Sequence, residues 1–311
     1  MKKTVAILGG DGFIGRNLLK CLMENGDYNV VLFSNYFENN IKHYNGVEYR
    51  VGDFFNEDDL EKIVKDSDIL VHAICTINPG NSNEKRYFAY THDLMYTIKL
   101  CELCIKYSKR LVFISSGGTV YGNQTELPIK EDASTNPINH YGCLKLCTEH
   151  ILITYALQQG ADIIIARIAN VYGPGQQFEK GVGFIDAVIK RAIEGKPVTV
   201  FGNGDSVRDY IFVTDACKML LSLFEYKGNY NVFNLSTGKG ASQRQIIEIV
   251  RTKYPTLIAQ FQPARKVDAN DVVLDNSRIL GIYPMPITKI AEGISQFIEF
   301  QEKKYEEYKD K

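Results

Sequence analysis

The run Gly9-Gly10-Asp11-Gly12-Phe13-Ile14-Gly15 follows directly on an apolar stretch, Thr4 to Leu8, and leads into a helix-patterned segment from Phe13 to Glu24. Glycines at 9, 12 and 15 permit a tight turn and a close backbone approach. The helix behind them aims unpaired amides and the positive end of its dipole at whatever the loop holds. Three glycines can also make an ordinary turn, but strand, loop and helix in this order suit the pyrophosphate of a dinucleotide. Gly9, Gly12, Phe13, Ile14 and Gly15 are its expected contacts.

Short apolar runs then alternate with amphipathic segments through the first 170 residues, the pattern of a parallel sheet wrapped by helices. The strand candidates are Thr4-Leu8, Val30-Phe33, Val47-Val51, Ile69-Ala73, Leu111-Ser115 and Ile163-Arg167. Helical patterns at Phe13-Glu24, Asp58-Lys65, Tyr87-Tyr107 and Tyr141-Gln158 are long enough to be crossovers, which predicts an α/β, doubly wound parallel sheet. After Asn170 the pattern loosens into Gly- and Pro-rich loops with helices near Gly183-Glu194, Asp215-Glu225 and Ser242-Tyr254. Ser242 with Gln245 forms a capping box for the last of these. The tail from Ile290 reads as a charge-dense helix on the surface. We expect a dinucleotide-binding domain over 1–170, with a returning segment near 211–238, and a smaller C-terminal substrate-binding α/β domain over 171–311.

A chain of 311 residues with 45% hydrophobic residues can bury a large core, and its formal net charge of -1 offers no field to gather nucleic acid or anionic membrane. The opening apolar run is too short for a signal peptide, and nothing approaches the roughly 18 apolar residues of a membrane span. Seven cysteines, an odd number, suit reduced thiols in a cytoplasm. Cys101-x-x-Cys104 lacks a second pair, so no metal site is expected.

The second strand ends Phe33-Ser34-Asn35, without the carboxylate that usually holds the adenosine ribose of NAD, and no Arg or Lys follows before Lys42 to receive the extra phosphate of NADP. NAD is favoured and NADP is left open. Ser34, with Asp53 and Phe54 after the third strand, is expected on the adenosine side. Asp53 could equally be a helix N-cap. Tyr141 and Lys145, four apart on a helix, share one face and can make a base, because an ammonium nearby favours the phenolate. The tail repeats this spacing at Tyr305 and Lys309. Only Tyr141 follows a strand whose hydroxyls, in the run from Ser115 to Gly122, emerge at the sheet edge where ligands bind in such folds.

With these residues in view, the chain resembles the extended short-chain dehydrogenases, specifically the NAD-dependent epimerase/dehydratase group typified by UDP-glucose 4-epimerase. The resemblance runs nearly end to end. It is carried by the Gly9 loop, His72, the Ser115 to Gly122 stretch, Tyr141 with Lys145, and the run from Arg167 to Gln176. Further on it is carried by Val198 to Gly204, Arg208-Asp209-Tyr210-Ile211, Asn234 to Lys239 and Arg265-x-x-Asp268. It implies a Rossmann fold, with Tyr141 and Lys145 catalytic and binding the cofactor. It also implies Asn170 on the sugar diphosphate, Arg208 and Arg265 gripping the phosphates, and Asp268 on the ribose of the nucleotide. Planar guanidinium forks suit a diphosphate.

The departures are informative. The family's third catalytic hydroxyl falls here at Gly117, so its duty must move, to Thr119 first or Ser116 second. Gly118-Thr119 stands where the related dehydratases need an Asp-Glu pair, which argues against dehydration. Val272 occupies a position that is bulky in epimerases restricted to plain hexoses and small in those accepting N-acetyl sugars, although a valine there could also be core. The resemblance therefore implies a nucleotide-sugar 4-epimerase, acting through a 4-keto intermediate with tightly held NAD on a UDP-hexose or UDP-N-acetylhexosamine. The alternative is an NADPH-dependent 4-keto-sugar reductase. A homodimer is expected.

Overall fold

The computed structural model describes residues 2–37, 43–176, 183–263 and 271–309. Among them, seven strands form one wholly parallel sheet: β1 (Thr4–Leu8), β2 (Asn29–Ser34), β3 (Val47–Val51), β4 (Ile69–His72), β5 (Arg110–Ser116), β6 (Ile163–Ile168) and, after three strands described below, β10 (Val232–Leu235). The order β10-β6-β5-β4-β1-β2-β3 reverses direction between β1 and β4, which opens a crevice at their carboxyl ends. The sheet is legible in sequence because both faces are covered, so its strands are continuously apolar. Along β1, Val5 and Ile7 enter one core while Ala6 and Leu8 enter the other, and all four are fully buried.

The first face is covered by α1 (Phe13–Asn25). The second is covered by α2 (Glu57–Lys65), α4 (Met95–Lys106) and α5 (His140–Gln159), while α3 (Ser82–Ala89) packs through Ala89 with Ile77 and Leu144 in a small separate cluster. Fully burying one such aliphatic side chain contributes about 1.5–3 kcal/mol. The expected single helix over Tyr87–Tyr107 is divided. A π-turn over Tyr90–Leu94 separates α3 from α4, and there Asp93 turns away to accept hydrogen bonds from the Thr76 amide and hydroxyl at 2.8 and 2.9 Å.

The second part of the chain supplies β7 (Asn170–Tyr172), α6 (Phe184–Ile193), β8 (Val198–Phe201), β9 (Val207–Phe212) and α7 (Val213–Ser222). After β10 come β11 (Gly240–Ser242), α8 (Gln243–Arg251), β12 (Ala259–Gln262), the short α9 (Ser277–Leu280) and α10 (Ile290–Lys309). β11-β9-β7 and β12-β8 are two small sheets, and α7 leans back onto α1 across the first core. α6, α8 and α10 enclose a third core around Val188, Phe212 and Ile246. The tail helix is not merely a solvated surface, because Ile294, Phe297 and Ile298 are buried in that core. The capping box at α8 is present in full.

Candidate active site

The crevice at the sheet's carboxyl edge gathers the loop after β1, the segment after β4, the Ser116–Thr119 turn after β5, the start of α5, and Asn170 and Arg208 beyond. The phosphate loop is shaped by contact. Gly9 adopts φ +83°, and a Cβ at Gly15 would lie 2.6 Å from the Gly9 carbonyl oxygen and 2.8 Å from the Gly10 Cα. Only glycine at 15 lets α1 start this close to β1. Asn56, Asn139 and Ser242 cap their helices with side-chain oxygens, whereas α1 has no side-chain cap and no acid in its first turn. The one acid in the loop, Asp11, is neutralised by Arg16, whose Nη2 donates to Oδ1 at 2.6 Å. A cradle of backbone amides at a helix start, with its only carboxylate paired, fits a dinucleotide pyrophosphate.

On the adenosine side, Ser34 ends β2 with its carbonyl accepting from the Gly52 amide. Asp53 is exposed and is not the N-cap of α2, a role filled by Asn56. Its carboxylate instead accepts from the Phe55 amide at 2.9 Å, which fixes the turn. Phe54 is 4% exposed and packs against His72, with ring centroids 4.9 Å apart, so its side chain belongs to the core.

Tyr141 and Lys145 do share one face of α5, with the Lys145 Nζ 5.8 Å from the Tyr141 ring centroid. The ammonium is buried and donates to the Ile114 carbonyl at 2.8 Å. Burial and the nearby Cys75 thiol push the Tyr141 phenol above its usual range, while a hydrogen bond with the Ser116 hydroxyl pulls it down. Desolvation outweighs the Ser116 contribution here, so burial opposes the lowering expected of a base. Positive charge brought beside the ring is what makes the phenol a base. His72, packed against the Phe54 and Phe113 rings, stays neutral: burial, then Lys145, lower its pKa to about 3.

Space explains the missing serine. A Cβ at Gly117 would meet Leu274 Cδ1 at 2.4 Å, and Leu274 is fully buried. The hydroxyl that favours ionisation of the phenol is that of Ser116. Thr119, the first expectation, turns its Oγ1 back to the Ser116 carbonyl at 3.5 Å. Gly142, the residue after Tyr141, lets α5 abut this turn, since a Cβ there would lie 2.7 Å from the Thr119 carbonyl oxygen.

Among the residues expected to hold the substrate, Asn170 Nδ2 donates to the Asp209 carbonyl at 3.3 Å, and its amide flanks Gly118. Arg208 on β9 donates through Nη1 to the Ser206 hydroxyl and the Val207 carbonyl. Arg265 and Asp268 lie outside the described residues. Val272 bridges to Arg208 through the backbone but is 2% exposed and packs in the first core, which favours its packing reading over a role in choosing the sugar. Asp209, which sequence reasoning left without a role, is fully buried and accepts from Thr237, Gly238 and Leu274, anchoring the strand that presents Arg208. Cys101 and Cys104 face the second core on α4, where burial pushes the Cys101 thiol up to about 12.

Comparison with known proteins agrees with this layout. The chain is 29% identical over 307 residues to UDP-glucose 4-epimerase of Mycolicibacterium smegmatis, covering 94% of this chain and 97% of that one. It is 27% identical over 319 residues to dTDP-4-dehydro-6-deoxyglucose reductase of Escherichia coli, covering 96% and 97%. The crystal structure of UDP-glucose 4-epimerase from Thermotoga maritima with UDP-glucose superposes with a TM-score of 0.88 at 28% identity, covering 97% of this chain and 99% of that one. Residues 5–236 match the model of one family, and with that match the chain belongs to the NAD dependent epimerase/dehydratase family.

Proposed function

We propose that this protein is an NAD-dependent nucleotide-sugar 4-epimerase acting on a UDP-hexose or a UDP-N-acetylhexosamine. The observation that carries the reading is the Tyr141 phenol on the same face of α5 as the buried Lys145 ammonium, which lies 5.8 Å from its ring centroid, at the sheet edge beside the glycine cradle. Gly9, Gly12, Phe13, Ile14 and Gly15 would hold the pyrophosphate of NAD, with Ser34 and Asp53 on its adenosine side. When bound, the cofactor supplies reversible two-electron oxidation of the sugar carbon. Tyr141 takes the proton of the sugar 4-hydroxyl and later returns it. Ser116 shares that hydrogen bond and steadies the phenolate. Lys145 supplies positive charge within the same pocket. Asn170 and Arg208, with Arg265 and Asp268, hold the nucleotide diphosphate while the ketone intermediate presents its other face. Gly118-Thr119 provides no acid and base for eliminating water.

The similarity to the reductase keeps a second reading in view, in which NADPH is consumed once and a reduced sugar is released. Incubating the purified protein with UDP-glucose, UDP-galactose and their N-acetyl counterparts, with no nicotinamide added, separates the two. Interconversion of C4 epimers supports epimerisation, and product formation only in step with NADPH consumed overturns it.

We also propose a homodimer through α4 and α5, because Tyr87, Met95 and Leu157 stand 79%, 55% and 82% exposed on or beside these helices, an apolar display that a partner would cover. Sedimentation as a single 35.2 kDa species at micromolar concentration would remove that proposal. No described helix is long and apolar enough to cross a membrane, and the seven cysteines are unpaired. Both fit the cytoplasm, which we propose as its location.

A further inference from the structure

We infer that the buried ion pair between Glu149 and Arg167 is a positioning device for the Tyr141 base, setting the height of α5 along β5. The inference rests on the reading of Tyr141 as the group that exchanges the substrate proton.

Tyr141, Lys145 and Glu149 follow one another at four-residue intervals, so they form a single stripe on α5. All three meet the end of one strand, β5. Lys145 donates to the Ile114 carbonyl at 2.8 Å, the Glu149 carboxylate accepts from the Ser115 hydroxyl, and Ser116, next along the strand, carries the hydroxyl that favours ionisation of Tyr141. Glu149 has no exposed surface. Arg167, which lies opposite Ser115 on β6, is 5% exposed. Arg167 grips the carboxylate in a fork, with Nη2 and Nε 2.6 and 3.0 Å from Oε2. Its remaining arm, Nη1, donates to the Tyr121 hydroxyl at 2.9 Å and the Glu131 carbonyl at 3.0 Å, and the Tyr121 hydroxyl passes on to Asn234 on β10 at 2.6 Å. One carboxylate therefore ties a helix to three adjacent strands.

Such a pair is a poor source of stability, since removing two charges from water costs about what their attraction returns, and apolar residues of similar volume often serve as well. What it provides is direction. Apolar contacts such as those of Leu144 and Leu152 tolerate sliding along the helix axis, because dispersion is weakly directional, whereas a forked charge-assisted hydrogen bond fixes position to a fraction of an ångström. Two turns above the fork, the same rigid helix carries Tyr141. A slip of α5 along its axis moves the phenol away from Ser116, and a misplacement of about 1 Å at a reacting group can cost on the order of 100-fold in rate.

The test compares wild type, Glu149→Gln, and the double variant Glu149→Leu with Arg167→Met, all as the full chain. Measured for each are the thermal transition, the NAD that co-purifies, and kcat and KM for C4 interconversion of a UDP-sugar across pH. We expect the double variant to melt within a few degrees of wild type and to retain NAD. Its KM should stay within about threefold while kcat falls about 10–100-fold. The acidic limb of its kcat profile should move to higher pH, because a phenol carried away from the Ser116 hydroxyl and the Lys145 ammonium is harder to ionise. A folded double variant with wild-type kcat and pH profile overturns the inference, as does a kcat loss that only follows lost NAD. Should the double variant not fold, Glu149→Gln decides: unchanged kcat and profile in that variant overturn the inference equally. Tyr141→Phe, run in parallel, keeps the two readings apart. If that variant still turns over, the role of Tyr141 fails. If it is inactive while the ion-pair variants are not, only the positioning role fails.

Discussion

Replacing Asp186 by Asn should make the protein more stable at pH 8 and remove a pH dependence that the wild type carries. Asp186 on α6 and Gln301 on α10 are 1% and 0% exposed. The Gln301 amide donates to Asp186 Oδ1 at 2.6 Å, while Asp186 Oδ2 and Gln301 Oε1, both buried, find no partner. A proton on Oδ2 can satisfy both orphans at once. Burial raises the carboxyl from 3.8 to about 6, against the opposing hydrogen bond from Gln301 and the charge of Lys190. At about 1.4 kcal/mol for each tenfold change in proton affinity, the difference is worth about 3 kcal/mol. The sign follows from linkage. The folded chain binds this proton more tightly than the unfolded one, so the contribution is complete below 3.8 and is lost as pH rises through about 6. Asparagine carries no charge and brings an N–H of its own for Gln301 Oε1. Thermal melts followed by circular dichroism from pH 4 to pH 8 should therefore show the variant gaining on wild type as pH rises. The gain should reach about 3 kcal/mol, or about 5 °C in a chain of this size. Taking the difference between the two proteins cancels the other carboxylates. A difference that stays constant from pH 4 to pH 8 would refute the reasoning.

Three further outcomes are expected. Ser116→Ala should lower kcat about 10- to 100-fold and more than Thr119→Val does, because the Ser116 hydroxyl favours ionisation of the phenol while Thr119 turns its own to a backbone carbonyl; steady-state kinetics on a UDP-sugar check this, and the reverse ranking would restore Thr119 to the role. Gly15→Ala should abolish co-purifying NAD, since its methyl would stand 2.6 Å from a backbone oxygen with no flexible neighbour to yield; absorbance of the denatured extract reads this directly. Gly117→Ser, which restores the hydroxyl usual in the family, should destabilise by about 1–3 kcal/mol through overpacking against Leu274 and give no gain in kcat; a urea melt measures the first and kinetics the second.

Much of the fold was legible along the chain because its controlling signals are local. A strand covered on both faces must be apolar throughout, a crossover helix must be amphipathic, and a pyrophosphate loop must spare its side chains. Those requirements marked the first six strands to within a residue or two, along with the glycine cradle, the Tyr141–Lys145 face and the α8 cap. The π-turn at Tyr90–Leu94 left no such mark, because it answers to Thr76, seventeen residues upstream, which holds Asp93. The buried face of α10 was likewise hidden behind its charges.

The residue sequence by itself determined the kind of molecule this is: a doubly wound sheet with a phosphate-binding turn and a tyrosine and lysine one helical turn apart. Only the tertiary structure shows why no side chain fits at Gly117, because Leu274, 157 residues away in the chain, fills the space there. It also decided that Val272 packs in the core and that Glu149 and Arg167 lock α5 in place. Excluded volume and buried charge pairing act between residues distant along the chain, so no local pattern reports them.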